Sequence, residues 1–401
     1  MNAPHKPTVL AISCYFKGNA FLERIKAEGS RVMLLTTEST VHEPWAKESL
    51  DGFFVTPSFE NRRHLINTVA WLRREHRFDR IVALDDYDVE VAAHLREHFR
   101  LPGLGESAAR LFRDKLAMRV RAQELGIPVP AFTGLFDHAK VGEFLREVSG
   151  PWLIKPRFEA SAVGIRKVHS AEAAWEVIHG LGDDQSFYLM ERMIDGEMFH
   201  VDSLVADGKV CFAEASGYHR PLLEVAQEGG IYATRILPRE GELSKRLKVA
   251  NAAVLEGFRL GLGASHTEFI VGRGDGVPYF IETSARVGGA NIAEMVEAAT
   301  GVNLWAEWAA LELGGEGAAW RAPAVREDYA GVVISLARQE WPDTGSFNDP
   351  EIVYRVQRKN HVGFIVRSQS PERIDALLEQ YRTRIKAEFH AALPPPSRAT
   401  A

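Results

Sequence analysis

Three short apolar runs, at residues 9–13, 31–36 and 81–84, alternate with helical patterns over the first hundred residues. Each run is apolar throughout instead of alternating, as a strand covered on both faces must be. The pattern AFLERIKAEG after the first run stops at Gly29, and HLINTVAWLRREHRF leads into the third. Strand and helix in alternation require parallel strands with crossover helices, so this segment reads as an α/β unit. No GxGxxG follows the first run, which leaves a dinucleotide site without support. The third run ends in Asp85-Asp86-Tyr87-Asp88, where an open α/β sheet presents ligand-facing loops. The simpler reading is that these acids cap the helix VEVAAHLREHF behind them.

The phrase LPGLG then breaks the pattern, and one long helix is expected over 107–126, stopped by IPVPAF. Beyond it the strands are flanked by turns in antiparallel style until a change of texture at 314–325. The segments YAGVVISLAR, EIVYRVQ and GFIVRS before the helix PERIDALLEQYRTRIKAEF read as a small α+β lobe. A chain of 401 residues suggests two or three domains. The expected units are 1–105, 106–315 and 316–390, with 391–401 a flexible tail, giving a mixed α/β and α+β multidomain chain. At 46% hydrophobic and 25% charged the composition is globular. A net charge of −6 argues against general nucleic-acid binding. Two cysteines without a CxxC or Cys/His cluster give no zinc site and point to a reduced, cytoplasmic protein. The N-terminal apolar run is too short for a signal sequence, and no stretch reaches the length of a membrane span.

Three segments carry chemistry. In PWLIKPRFEASAVGIRKV (151–168), Lys155 ends an apolar strand and precedes a small-residue loop at 160–164 that includes Ser161 and Gly164. Small residues let backbone N–H groups approach a polyanion, and the lysine supplies a point charge for phosphate oxygens. In SFYLMERMIDGEMFHVDSLV (186–205), Glu191 precedes a short apolar hinge, Met193-Ile194, and a strand that places His200 and Asp202 on one face. A glutamate so placed can bond an adenine amino group while the hinge backbone reads the ring edge. In HTEFIVGRGDGVPYFIETSARVGG (266–289), two apolar runs each end against a glutamate, Glu268 and Glu282. Paired as a hairpin through GRGDGVP, they bring His266, Glu268, Glu282 and Ser284 to one surface. Two carboxylates suit Mg²⁺, which takes one or two protein carboxylates with phosphate oxygens and water. Arg286, before Gly288-Gly289, is placed to clamp a phosphate or carboxylate bidentately.

Taken together, RDKLAMRVRAQELGIPVP, WLIKP with its glycine loop, MERMIDGE with HVDS, HTEF and YFIETSARVGG resemble, in order over 107–310, the ATP-grasp superfamily. The resemblance implies an N-terminal pre-ATP-grasp domain, an ATP-grasp nucleotide domain and a C-terminal lobe over the substrate cavity. It assigns Lys115 and Lys155 to the ATP phosphates and Glu191, Met193 and Ile194 to the base. It places His200 near the ribose and phosphates, Glu268, Glu282 and Ser284 at Mg²⁺ or Mn²⁺, and Arg286 at the reacting phosphate. Ser284 stands where many members carry Asn. Met198 stands where some relatives place a ribose-binding glutamate, with Glu197 one position off.

The implied reaction joins a carboxylic acid to an amine through an acyl phosphate, releasing ADP and phosphate. Small carboxylic or amino acids are the implied substrates, bound between Arg286, Gly288 and Gly289 and the stretch 214–238, with His219, Glu228 and Arg235. No nucleic-acid or membrane partner is implied, and a homodimer is. The alternatives are a bicarbonate-activating, carboxylase-like enzyme, or a nucleotide-binding regulatory protein without turnover.

Overall fold

The structure, a computed structural model, describes residues 6–160, 162–315, 320 and 323–392. The N-terminal strands β1 (Thr8–Ser13), β2 (Arg31–Thr37), β3 (Gly52–Thr56) and β4 (Arg80–Ala83) form a parallel sheet in the order β3-β2-β1-β4. Strand β1 is buried along its whole length and β2 at all but its first residue, so the continuous apolar runs follow from cover on both faces. Strand β3 escaped the sequence reading. It lies at the sheet edge with only Thr56 buried, so its short Phe53-Phe54-Val55 run carries a weak signal.

A small antiparallel sheet follows, made of β5 (Phe132–Gly134), β6 (Trp152–Pro156), β7 (Arg166–Val168) and β8 (Tyr188–Arg192) in the order β5-β8-β6-β7. Its core is Leu135, Val141, Phe144, Trp152, Ile154, Ile178 and Met190. The largest sheet contains β9 (Gly196–Ala206), β10 (Lys209–Tyr218), β11 (Tyr232–Ile236), β12 (Gly263–Gly272), β13 (Pro278–Ser284), β14 (Tyr329–Leu336), β15 (Ile352–Arg355) and β16 (His361–Ser368). Its order is β13-β12-β9-β10-β11-β14-β16-β15, antiparallel throughout. The strands expected in a C-terminal lobe therefore continue the sheet of the preceding segment, through the β11–β14 pairing. The expected tail at 391–401 lies outside the described residues from 393 onward.

The long helix expected over 107–126 is corrected. A short helix, Glu106–Ala109, and a 3₁₀ turn, Arg110–Phe112, precede a separate helix, Lys115–Glu124. The break falls at Asp114, which leaves the helical conformation and caps the second helix by accepting from the Leu116 N–H at 3.0 Å. Capping of this kind satisfies N–H groups that have no intrahelical partner. Its consequence is positional, because Lys115 becomes the first residue of a helix instead of a mid-helix side chain.

Candidate active site

A large cavity runs between the three sheets. Its wall includes Lys115, Lys155, Glu191, Met193, Ile194, Glu197, His219, Arg235, Glu268, Glu282, Arg286, Gly288 and Gly289. Thirteen of the positions singled out from the sequence thus share one space, although they come from six strands, one helix and the loops between them.

The β12–β13 hairpin sets the centre. Its register places Glu268 directly opposite Glu282 and His266 opposite Ser284, with an irregularity just beyond, at Phe269. The lone carboxylates of the sequence have partners here. Lys115 Nζ lies 2.8 Å from Glu282 Oε2. Burial alone would raise the Glu282 acid, but Lys115 and then Lys155 hold it below the ordinary carboxylate range. Glu268 accepts the Tyr218 hydroxyl at 2.8 Å and lies 3.4 Å from His266 Nε2. Burial works against the charged form of His266, but Asp202 beside it raises its pKa to about 9, so the ring is an imidazolium at neutral pH.

Behind this pair, Asp202 bridges two histidines, with Oδ1 2.8 Å from His266 Nδ1 and Oδ2 2.6 Å from His200 Nδ1. His200 is fully buried, and its other nitrogen is 2.8 Å from the Thr234 hydroxyl. Both ring nitrogens are engaged and the ring is absent from the cavity wall. The expected contact of His200 with ribose and phosphates is therefore replaced by a place behind the wall, where it anchors Asp202. Ser284, 7% exposed, also lies off the wall, opposite His266.

On the small sheet, β6 and β8 pair so that Lys155 and Glu191, both almost fully buried, touch. Burial pushes the Lys155 ammonium down to about 8, against the pull of Glu191. Glu191 also accepts from Arg119 Nη2 at 2.9 Å and Nε at 3.1 Å. The two carboxylate oxygens are thus engaged by Lys155 and Arg119, in place of the expected adenine amino group. Gly164 adopts φ +72, and a Cβ there would stand 2.8 Å from the Pro156 ring, so the loop after β6 needs glycine at that point. Ser161 lies outside the described residues.

The remaining expected positions lie toward the far end. His219 meets Arg382, and Arg235 pairs with Asp375. Glu228 closes the short helix Leu222–Glu228; its side chain is outside the described set. Gly288 has a clearer reason to be glycine, since a Cβ there would stand 2.7 Å from Asp202 Oδ1 and 3.0 Å from His266 Nδ1. Gly288→Ala is expected to push this pair apart, cost about 1–3 kcal/mol in urea unfolding, and lower turnover. Wild-type values in both measurements would show that the approach has slack.

Two near-wall residues, Arg113 and Arg119, were missed from the sequence, and Asp86, on the wall, was read there as a helix cap. Arg119 is fully buried and reaches the Ile281 carbonyl, 162 positions away, and no local pattern announces such a contact. Asp86 sits in the acidic turn after β4, where Asp85 caps the 3₁₀ turn Asp86–Asp88 by accepting the Tyr87 N–H at 3.0 Å, and not the helix Val89–Phe99 as expected, whose N-cap residue Asp88 makes no capping bond.

No protein-family model matches the chain. It is 28% identical over 291 residues to the "L-arginine-specific L-amino acid ligase" of Bacillus subtilis, covering 71% of this chain and 70% of that protein. Among solved structures, the L-amino acid ligase from Bacillus licheniformis superposes with a TM-score of 0.76 at 20% identity, over 96% of this chain and 98% of the other. The biotin carboxylase domain of Hydrogenobacter thermophilus 2-oxoglutarate carboxylase, solved with MgADP, ADP and bicarbonate, superposes with a TM-score of 0.69 at 15% identity, over 98% and 92%. Both structural likenesses establish the fold.

Proposed function

We propose that the chain is an ATP-dependent, C–N bond-forming ligase of the ATP-grasp type, as its likeness to the amino acid ligases supports, and that it joins two amino acids. The carboxylate of one would be activated as an acyl phosphate and captured by the amine of the other, with release of ADP and phosphate. The observation that carries this reading is the meeting in one cavity of Lys115, Lys155 and Arg286 with the register-opposed pair Glu268 and Glu282. The chemistry of that donor set fits Mg²⁺, whose protein ligands are typically one or two carboxylates. When bound with ATP, the metal supplies neutralisation of phosphate charge.

The side chains have separable tasks. Lys155, buried and braced by Glu191, offers a fixed positive charge to the phosphates without the cost of ordering a surface lysine. Lys115, which donates to the Glu159 carbonyl and rests on Glu282 in this structure, would offer its charge to phosphate oxygens. The imidazolium of His266 and the Tyr218 hydroxyl hold Glu268 in place from the other side. Arg286 would bind the carboxylate and then the acyl phosphate, stabilising charge that develops during transfer. Met193, Ile194 and Glu197 would line the nucleoside. His219 and Arg235, tied to Arg382 and Asp375, would face the second substrate. No protein nucleophile is needed, because the energy of ATP is carried by the activated substrate itself.

The relative from Bacillus subtilis is named for L-arginine, which puts basic amino acids in the first panel to test. The expected result is ADP and phosphate released on adding pairs of L-amino acids, with an amide product of matching mass. AMP and pyrophosphate, or no turnover across the panel, would refute the proposal. We place the reaction in the cytoplasm, with Mn²⁺ able to replace Mg²⁺ and the chain acting as a homodimer; no helix among the described residues is long and apolar enough to cross a membrane.

A further inference from the structure

Asp202 lies behind the cavity wall on β9, fully buried and directly opposite His266 of β12. Its Oδ2 is fixed from the far side. It lies 2.6 Å from His200 Nδ1, and the other nitrogen of that ring lies 2.8 Å from the Thr234 hydroxyl, which donates to the Gly217 carbonyl at 3.0 Å. Oδ1 faces the site along two routes. The first runs through His266, whose Nδ1 is 2.8 Å from Oδ1 and whose Nε2 is 3.4 Å from Glu268 Oε1. The second runs through Gly288, where an added Cβ would stand 2.7 Å from Oδ1. The peptide that enters Gly288 carries the Val287 carbonyl, which accepts from Arg286 Nη1 at 2.9 Å. Asp202, His200, Thr234, His266, Glu268 and Val287 are all buried, so a shift of one is passed to the next instead of being absorbed by solvent.

We infer that Asp202 is the positioning residue of the reacting centre, setting the carboxylate of Glu268 through His266 and the guanidinium of Arg286 through the Gly288 turn. This rests on the ligase reading, which gives Glu268 and Arg286 their tasks, and it adds a residue that touches neither metal nor substrate. Partners behind a metal ligand fix its orientation, and losing one typically costs about 10–100-fold in metal affinity or activity. Stability alone does not call for this arrangement, since a well-packed apolar residue can replace a buried ionic group without loss. An acceptor with two divergent oxygens, by contrast, is needed to face His200 and His266 at once. The ligand atoms of His200, Asp202 and His266 lie within 4.8 Å of one another, a spacing that a metal ion could also use. It fits them less well here, because both carboxylate oxygens already face ring nitrogens and Gly288 closes the approach to Oδ1.

The test uses the full chain and two variants, Asp202→Asn and Gly288→Ala. Asparagine keeps the shape but has one acceptor oxygen, so it serves only one of the two histidines. Gly288→Ala keeps every hydrogen-bonding group and presses on Oδ1. Mn²⁺ affinity with ADP present, read by electron paramagnetic resonance, is expected to fall about 10–100-fold in Asp202→Asn and about threefold or more in Gly288→Ala. Affinity for inorganic phosphate under the same conditions, read by calorimetry, should fall about fivefold or more in both, through Arg286. A merely structural residue would lower the urea midpoint and leave both affinities of the folded protein within about twofold, and that result overturns the inference. So does a fall in only one of the two affinities, since one residue is claimed to serve both, and so does an unaltered protein that binds no Mn²⁺. If Asp202→Asn does not fold, Gly288→Ala decides alone, and unchanged affinities there overturn the inference. One zinc ion per chain retained through dialysis against EDTA would assign the three side chains to a metal instead. Neither affinity depends on turnover, so the two readings fail separately. No ADP release across amino-acid pairs removes the ligase reading and leaves the losses of affinity standing, and ADP release with unchanged affinities does the reverse.

Discussion

Glu282→Ala is expected to lower kcat by about a thousandfold while leaving the protein folded. The magnitude follows from the worth of preorganised charge in a water-poor site, where removing one stabilising contact costs about 10²–10³ in rate. The fold should survive because Glu282 is half-buried at the end of β13 and contributes charge to the cavity, not volume to the apolar core. Its removal does leave Lys115 without its anionic partner, so a small loss of stability accompanies the loss of rate. The split between constants is informative. A residue that holds metal charge for phosphoryl transfer should reduce kcat and kcat/KM together, whereas a residue of ground-state binding alone would raise KM. Steady-state ADP release and Mn²⁺ titration settle the matter, and activity within tenfold of wild type with unchanged Mn²⁺ affinity would remove Glu282 from the metal site.

What the sequence disclosed and what it hid differ for physical reasons. Strands β1, β2 and β4 were readable because each is a continuous apolar run buried on both faces, and burial of that kind leaves no ambiguity of period. The edge strand β3 has no such pattern. The β12–β13 hairpin was readable because a turn-rich segment between two apolar runs fixes register, and register alone sets Glu268 against Glu282. The helix break at Asp114 was not, since one N-cap residue inside a helix-rich stretch is outweighed by its neighbours. His200 was placed on the correct face of β9 but at the wrong depth. Alternation gives the side of a strand, whereas depth depends on Tyr218 and Thr234, brought in by β10 and β11. Asp86 was hidden by its company: the acids were read as caps of the helix Val89–Phe99, whose N-cap residue Asp88 makes no capping bond, while Asp85 caps only the 3₁₀ turn Asp86–Asp88, and the same reading covered Asp86 on the cavity wall.

Arg119→Met should have the second large effect, and on stability first. Arg119 is fully buried, donates twice to Glu191 and once to the Ile281 carbonyl, and its guanidinium lies 5.8 Å from the centre of the Phe280 ring. Methionine fills much of the volume but leaves Glu191 facing Lys155 alone and the carbonyl unpaired. Breaking a buried charge network from one side costs about 3–5 kcal/mol, readable as a lower urea midpoint. Glu191→Gln in the same background should recover part of that loss, because the carboxylate left short of cations is then removed. The resulting double-mutant cycle is expected to give a coupling of about 1–3 kcal/mol. The effect should reach ATP as well. With Arg119 gone, Lys155 is the sole cation left on Glu191 and its ammonium is held more tightly there; if it serves phosphate as proposed, the KM for ATP should rise in Arg119→Met. Additive single-mutant effects, or a loss below about 1 kcal/mol, would show that the network is not one unit. Arg119 would then be a packing residue.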